Sequence, residues 1–203
     1  MEITQLEATK RLEAVGVHRP SAIRLLRAGF AGPARRVGGT TRVRRLLYDE
    51  RVVDDLCARP LVAARDPQHL LTPATMLVRT HLRRDDVRSE CGWTGVDLLA
   101  PPQEQRAALS VTRRLGGGSW MVAVLALRRW GVIPFVATLE GFVAHCAEIV
   151  DFTTGADGRA HLRLAEPGPW AVDLRDTRVE AGLGSERRWL VVPGVRAAAQ
   201  ASG

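Results

Sequence analysis

The sequence predicts an α+β protein, helical at its N-terminal end and β-rich beyond it, and three observations carry that prediction. Within residues 1–60 two apolar stripes at helical spacing flank the breaker Gly16-Val17-His18. After Pro60 the pattern changes to period-2 alternation at Thr75 to Arg83 and to a run of β-formers from Val132 to Phe152. Charge divides at the same place: residues 1–60 carry +5 of the formal net charge of +7. Between Arg11 and Arg45 stand nine arginines against one acid, Glu13. A stretch so basic that also keeps apolar periodicity is a folded positive face, and the commonest partner of such a face is nucleic-acid phosphate.

Each N-terminal element follows from local chemistry. Thr4 is placed to cap a first helix, with Glu7 three residues on completing a capping box. The helix runs from Leu6 to Val15, with Ala8, Leu12 and Val15 as its apolar stripe, and Gly16 ends it. A second helix opens near Arg19 with Pro20 in the first turn, where a missing N–H costs nothing. Its buried set is Ala22, Leu25 and Leu26, and Gly29 is its C-terminal stop. Ala34 to Val37 and Thr41 to Tyr48 read as two short strands around Gly38-Gly39, and Asp49 caps a third helix that Pro60 ends. The order is helix, turn, helix, hairpin, helix.

The run LEATKRLEAVGVHRPSAIRLLRAGF followed by GPARRVGGTTRVRRLLYDERVVDDL resembles the winged helix-turn-helix of the MerR and excisionase-like superfamily, over residues 2–59. The resemblance implies an N-terminal winged helix-turn-helix DNA-binding domain (1–60); the residues beyond it, which carry no such resemblance, read by their own pattern as a β-rich α+β domain (61–196) and a disordered tail (197–203), so that the whole chain is α+β. The resemblance also implies that the second helix enters the major groove, with Arg19, Ser21, Arg24 and Arg27 off the apolar stripe and Ser21 and Arg24 nearest the base edges. Thr40 and the wing arginines Arg35, Arg36, Arg42, Arg44 and Arg45 then meet phosphates or the minor groove. The long dimerisation helix of a MerR activator has no counterpart here, because Pro60, Pro67, Pro73, Pro101 and Pro102 break any such helix.

The remainder reads element by element. In Thr75 to Arg83, Met76, Val78, Thr80 and Leu82 take one face and Leu77, Arg79, His81 and Arg83 the other, the pattern of a half-buried strand. Pro101-Pro102 opens a helix to about Leu115, and Gly116-Gly117-Gly118 separates it from Trp120 to Leu127, a buried strand or a core helix that periodicity alone does not resolve. Ala156-Asp157-Gly158 joins Val132–Phe152 to Ala160–Leu164 as a hairpin, and Val172–Leu174 and Trp189–Val192 are further strands. The five tryptophans, all after residue 60, are spaced irregularly, as core and interface residues are.

Chemistry-bearing patterns are sparse. Cys57, Cys91 and Cys146 are odd in number and form no CxxC, which argues for a reducing compartment. His145-Cys146 is the only close His/Cys pair, and adjacent strand residues point to opposite faces, so no metal or cofactor is expected. The GGGS at 116–119 lacks the Lys of a phosphate-binding loop, since the one lysine is Lys10. Asp85, Asp86 and Glu90 sit in a charged loop without a companion base. His18 is read as a helix cap or a phosphate contact. The N-terminus has acids where a secretory signal needs basic charge, and the longest apolar run, Trp120–Leu127, is too short to cross a bilayer. The expectation is a cytoplasmic, nucleoid-associated, non-enzymatic protein that binds double-stranded DNA selectively as a transcriptional regulator. The alternative is an excisionase-like architectural or recombination accessory protein that assembles cooperatively, and a more remote one is an enzyme housed in 61–203. Residues 61–203 are expected to serve self-association or the sensing of an unidentified small-molecule effector, with no membrane partner.

Overall fold

The computed structural model describes residues 1–38, 45–62, 74–87, 89–110, 117–155, 159–179 and 187–191. They form a mixed α+β fold with five α-helices and several sheets among the described residues.

Local chemistry sets the first part. Strand β1 (Glu2–Thr4) leads into helix α1 (Gln5–Ala14), and the Thr4 hydroxyl accepts from the Glu7 N–H at 3.3 Å as the cap. Thr4→Ala therefore costs about 1 kcal/mol, read by urea unfolding; a change of a few tenths would remove the cap from the account. Helix α2 (Arg19–Arg27) begins with Pro20 in its first turn. Both helices end alike. Gly16 (φ 82°) and Gly29 (φ 87°) take the left-handed conformation, and the N–H groups of Val17 and Phe30 bond back to the carbonyls of Leu12 and Leu25. That is the Schellman arrangement, which satisfies carbonyls the helix leaves open. Strands β2 (Arg35–Val37) and β3 (Arg45–Asp49) pair antiparallel, and Asp49 accepts from the Arg51 N–H at 2.9 Å to cap α3 (Glu50–Ala58). The sequence does not announce β1, which pairs with β3 and makes a three-stranded sheet of order β1-β3-β2.

Beyond Pro60 lie β4 (Leu61–Val62), β5 (Ala74–Arg79), β6 (Arg84–Asp85), β7 (Trp93–Thr94), α4 (Pro102–Ser110) and α5 (Gly117–Trp130). Then come β8 (Ile133–Leu139), β9 (Phe142–Thr154), β10 (Ala160–Ala165), a 3-10 helix (Pro169–Asp173), β11 (Arg178–Val179) and β12 (Arg187–Val191). A seven-stranded sheet runs β12-β5-β8-β9-β11-β4, with β10 on β9; β6 and β7 form a separate pair. Trp120–Leu127 resolves as helix, in α5, which packs on β8.

Two expectations change. Val172–Leu174 is not a strand: Val172 lies in the 3-10 helix and Leu174 follows it. Leu77 does not face solvent: it is 5% exposed and packs with Val136, Val143 and Cys146. Its strand, β5, lies between β12 and β8, and apolar residues cover both faces, so alternation gives way to continuous burial. The strand also stops at Arg79, short of Thr80–Arg83. The sequence stretch 197–203 lies outside the described residues.

The larger hydrophobic cluster crosses Pro60. Leu12, Leu25, Leu26, Phe30 and Tyr48 belong to it together with Met76, Phe135, Phe142 and Ile149. Where the halves meet, Phe30 and Phe142 stack edge to face at 6.0 Å between centroids, and the Leu98 N–H donates to the Ala28 carbonyl at 2.8 Å. The guanidinium of Arg178 lies 4.8 Å from the Phe142 ring centre and donates to the Val15 carbonyl. That of Arg59 lies 5.6 Å from the ring centre of Phe30 and pairs with Asp176.

Candidate nucleic-acid interface

The arginines of the N-terminal part sort by what they touch. Arg11 bridges α1 to α3, donating to Glu50 and Asp54 at 2.6 Å each, and so acts in the fold. Arg35 on β2 donates from Nε to Glu2 at 2.7 Å and pairs with it again through Nη2. Glu2 holds the Arg35 guanidinium charge in place, and Arg35 in turn lowers the Glu2 carboxyl below its usual range. By contrast Arg19 and Arg27 on α2, Arg36 on β2 and Arg45 on β3 are exposed and pair with no carboxylate among the described residues. Thr40, Arg42 and Arg44, expected on the same hairpin, lie outside the described residues.

The pleat distributes the hairpin side chains. Arg35 is opposite Leu47, which is opposite Thr4, while Arg36 is opposite Leu46. Ile3 and Tyr48, the buried pair, share the Arg36 face, so Arg35 and Arg45 project from the other side of the sheet. Arg27 lies close enough to Tyr48 to bias its hydroxyl, although burial dominates and raises its pKa. Helix α2 and the hairpin thus both carry exposed arginines that pair with no carboxylate among the described residues.

Ser21 and Arg24, read from the sequence as the residues nearest base edges, have a partner that the sequence does not reveal. The Ser21 hydroxyl donates to Glu140 Oε2 at 2.7 Å, and Arg24 Nη1 donates to Oε1 of the same carboxylate. Glu140 stands in the two-residue loop between β8 and β9, with φ 52°, followed by Gly141 at φ 86°. Positive φ at both loop residues is the pattern of a type I′ hairpin turn, which favours Asn, Asp or Gly at the first position. A glutamate held there costs about 1 kcal/mol relative to a relaxed backbone. Its side chain is only 18% exposed, and each of its oxygens has one donor from α2.

A second feature lies away from this face. A cleft of about 560 Å³ opens between α4, β9 and β10, lined in part by Gln103, Arg106, Ser110, Asp151, His161 and Arg163. Arg106 at its wall donates to Glu166 at 2.6 Å, and Arg163 lies 3.8 Å from Asp151, so its charges are largely matched. His145 and Cys146 occupy neighbouring positions on β9, opposite Ala137 and Val136. Burial pushes the Cys146 thiol up to about 12, which leaves it protonated and unreactive at neutral pH. No helix among the described residues is long and apolar enough to cross a membrane. Comparison of the chain with protein-family models, curated proteins and solved structures gave no match.

Proposed function

We propose that the chain binds double-stranded DNA as a transcriptional regulator of winged helix-turn-helix type, with α2 directed at the major groove and the β2–β3 hairpin at phosphates or the minor groove. One observation carries the reading. In a region where Arg11, Arg35 and Arg59 are consumed by carboxylates, Arg19, Arg27, Arg36 and Arg45 are left exposed and, among the described residues, unmatched on the two elements that such a fold presents to DNA. The order β1, α1, α2, β2, β3, α3 supports it as well, since α2 is short, begins at Arg19 and is anchored by Ala22, Leu25 and Leu26, which leaves Arg19 and Arg27 exposed while Ser21 and Arg24 meet Glu140.

These guanidiniums serve affinity and register before sequence selection, because phosphate contacts carry no base information. Arg27→Ala is expected to weaken binding to unrelated duplexes alike and to reduce the salt dependence by about one counterion. Fluorescence anisotropy with two unrelated labelled duplexes measures both quantities. Equal affinity of wild type and variant for both duplexes would take α2 out of the interface.

A further inference from the structure

Resting on that DNA reading, we infer that Glu140 is an internal competitor anion: it holds Ser21 and Arg24 as DNA would, and duplex binding at α2 requires its carboxylate to be displaced. It acts through those two residues as a positioning residue, setting affinity and selectivity without a base contact of its own.

Two observations converge on the β8–β9 loop. Glu140 receives one hydrogen bond from each of two α2 side chains that lie more than a hundred positions earlier in the chain. An oxygen pair that takes an Arg N–H and a Ser O–H presents what a phosphate presents, two acceptor oxygens bearing negative charge. The residue also keeps a left-handed backbone at a position where glycine or asparagine would sit without strain. Strain retained at one residue, together with a specific charge partner on the candidate reading helix, is the pattern of a functional contact.

The rest of the junction explains why the competitor can act locally. Phe30 and Phe142 are 4% and 0% exposed and lock the two halves together beneath the loop. Separating them would break the shared core, whereas releasing one partly exposed guanidinium requires only a side-chain rotation. Arg24 is half exposed, so its pairing is screened and exchangeable. Arg19 at the start of α2 and Arg27, one turn beyond Arg24, pair with no carboxylate among the described residues and are open to make the first phosphate contacts.

The test uses the full chain and a labelled random-sequence duplex pool. Glu140→Gly removes the carboxylate and suits the left-handed turn, so the hairpin is preserved; Glu140→Gln is the isosteric companion. Asp151→Asn removes one negative charge from β9, the strand that follows the Glu140 loop, without touching α2 and controls for net charge. Both Glu140 variants are expected to bind about fivefold more tightly than wild type and than the Asp151 variant. The slope of log K against log salt should steepen by about one, as Arg24 becomes available to phosphate. Arg24→Ala should then cost several-fold more affinity in the Glu140→Gly background than in wild type. Measurable binding by all proteins with equal affinities, or the same cost of Arg24→Ala in both backgrounds, would overturn the competitor role while leaving the DNA reading intact. Failure of wild type and Glu140→Gly alike to bind any duplex would overturn both.

Discussion

Phe142→Ala is expected to lower the free energy of unfolding by about 3–5 kcal/mol, the cost typical of deleting a fully buried aromatic ring. The side chain is 0% exposed, stacks edge to face on Phe30 of the N-terminal part and lies beneath the Arg178 guanidinium. Because one cluster joins residues on both sides of Pro60, the loss should appear in a single cooperative urea transition that monitors the whole chain. A loss below about 1 kcal/mol, or a transition that affects only residues after Pro60, would mean that the halves fold independently. The Phe30–Phe142 contact would then be incidental.

The second large effect is acid sensitivity at His145. Its Nε2 is buried without a hydrogen-bond partner among the described residues. Burial above all, then the Arg106 guanidinium, with Arg175 adding to it and Glu166 opposing, push its pKa down to about 4 from an ordinary 6.5. A histidine with a depressed pKa is held neutral in the fold, whereas the unfolded chain takes up a proton near its ordinary pKa. The folded state therefore pays nothing above about pH 6.5 and loses stability as pH falls from there toward 4, by roughly 3 kcal/mol at the end of the window. Urea unfolding at several pH values across this window, for wild type and His145→Leu, isolates the contribution from that of the carboxylates. The variant should lose distinctly less stability on acidification. Parallel pH profiles would show that His145 is protonated in the fold without penalty.

Local chemistry made much of the N-terminal part legible. Thr4 and Asp49 announce helix starts because a short polar side chain before an apolar stripe satisfies open N–H groups, and Gly16 and Gly29 announce ends because they alone adopt the left-handed turn without cost. What escaped is set by partners distant in sequence. Strand β1 is three residues long and exists through pairing with β3; Leu77 is buried because β5 received neighbours on both edges and cover on both faces. In the 3-10 helix over Val172, the neighbours Ala171 and Leu174 are buried while Val172, a β-former, stays exposed. Glu140 was hidden for a more instructive reason. Val132–Phe152 reads as one unbroken β-rich stretch, and the Glu-Gly at its centre is not among the dipeptides that mark a two-residue hairpin. Periodicity, moreover, identifies the side of α2 that Ala22, Leu25 and Leu26 do not use, but says nothing about which other part of the chain covers that side. Ser21 and Arg24 lie off the stripe and meet a carboxylate from the far sheet.

The central claim, that the unmatched arginines of α2 and the hairpin meet DNA phosphate, is tested most directly by duplex titrations of the full chain at two salt concentrations, about 50 and 200 mM. With four to six phosphate contacts expected from Arg19, Arg27, Arg36, Arg45 and their hairpin neighbours, affinity should fall by roughly two to three orders of magnitude between them. Binding that does not change with salt, or no binding at the lower concentration, would contradict the account.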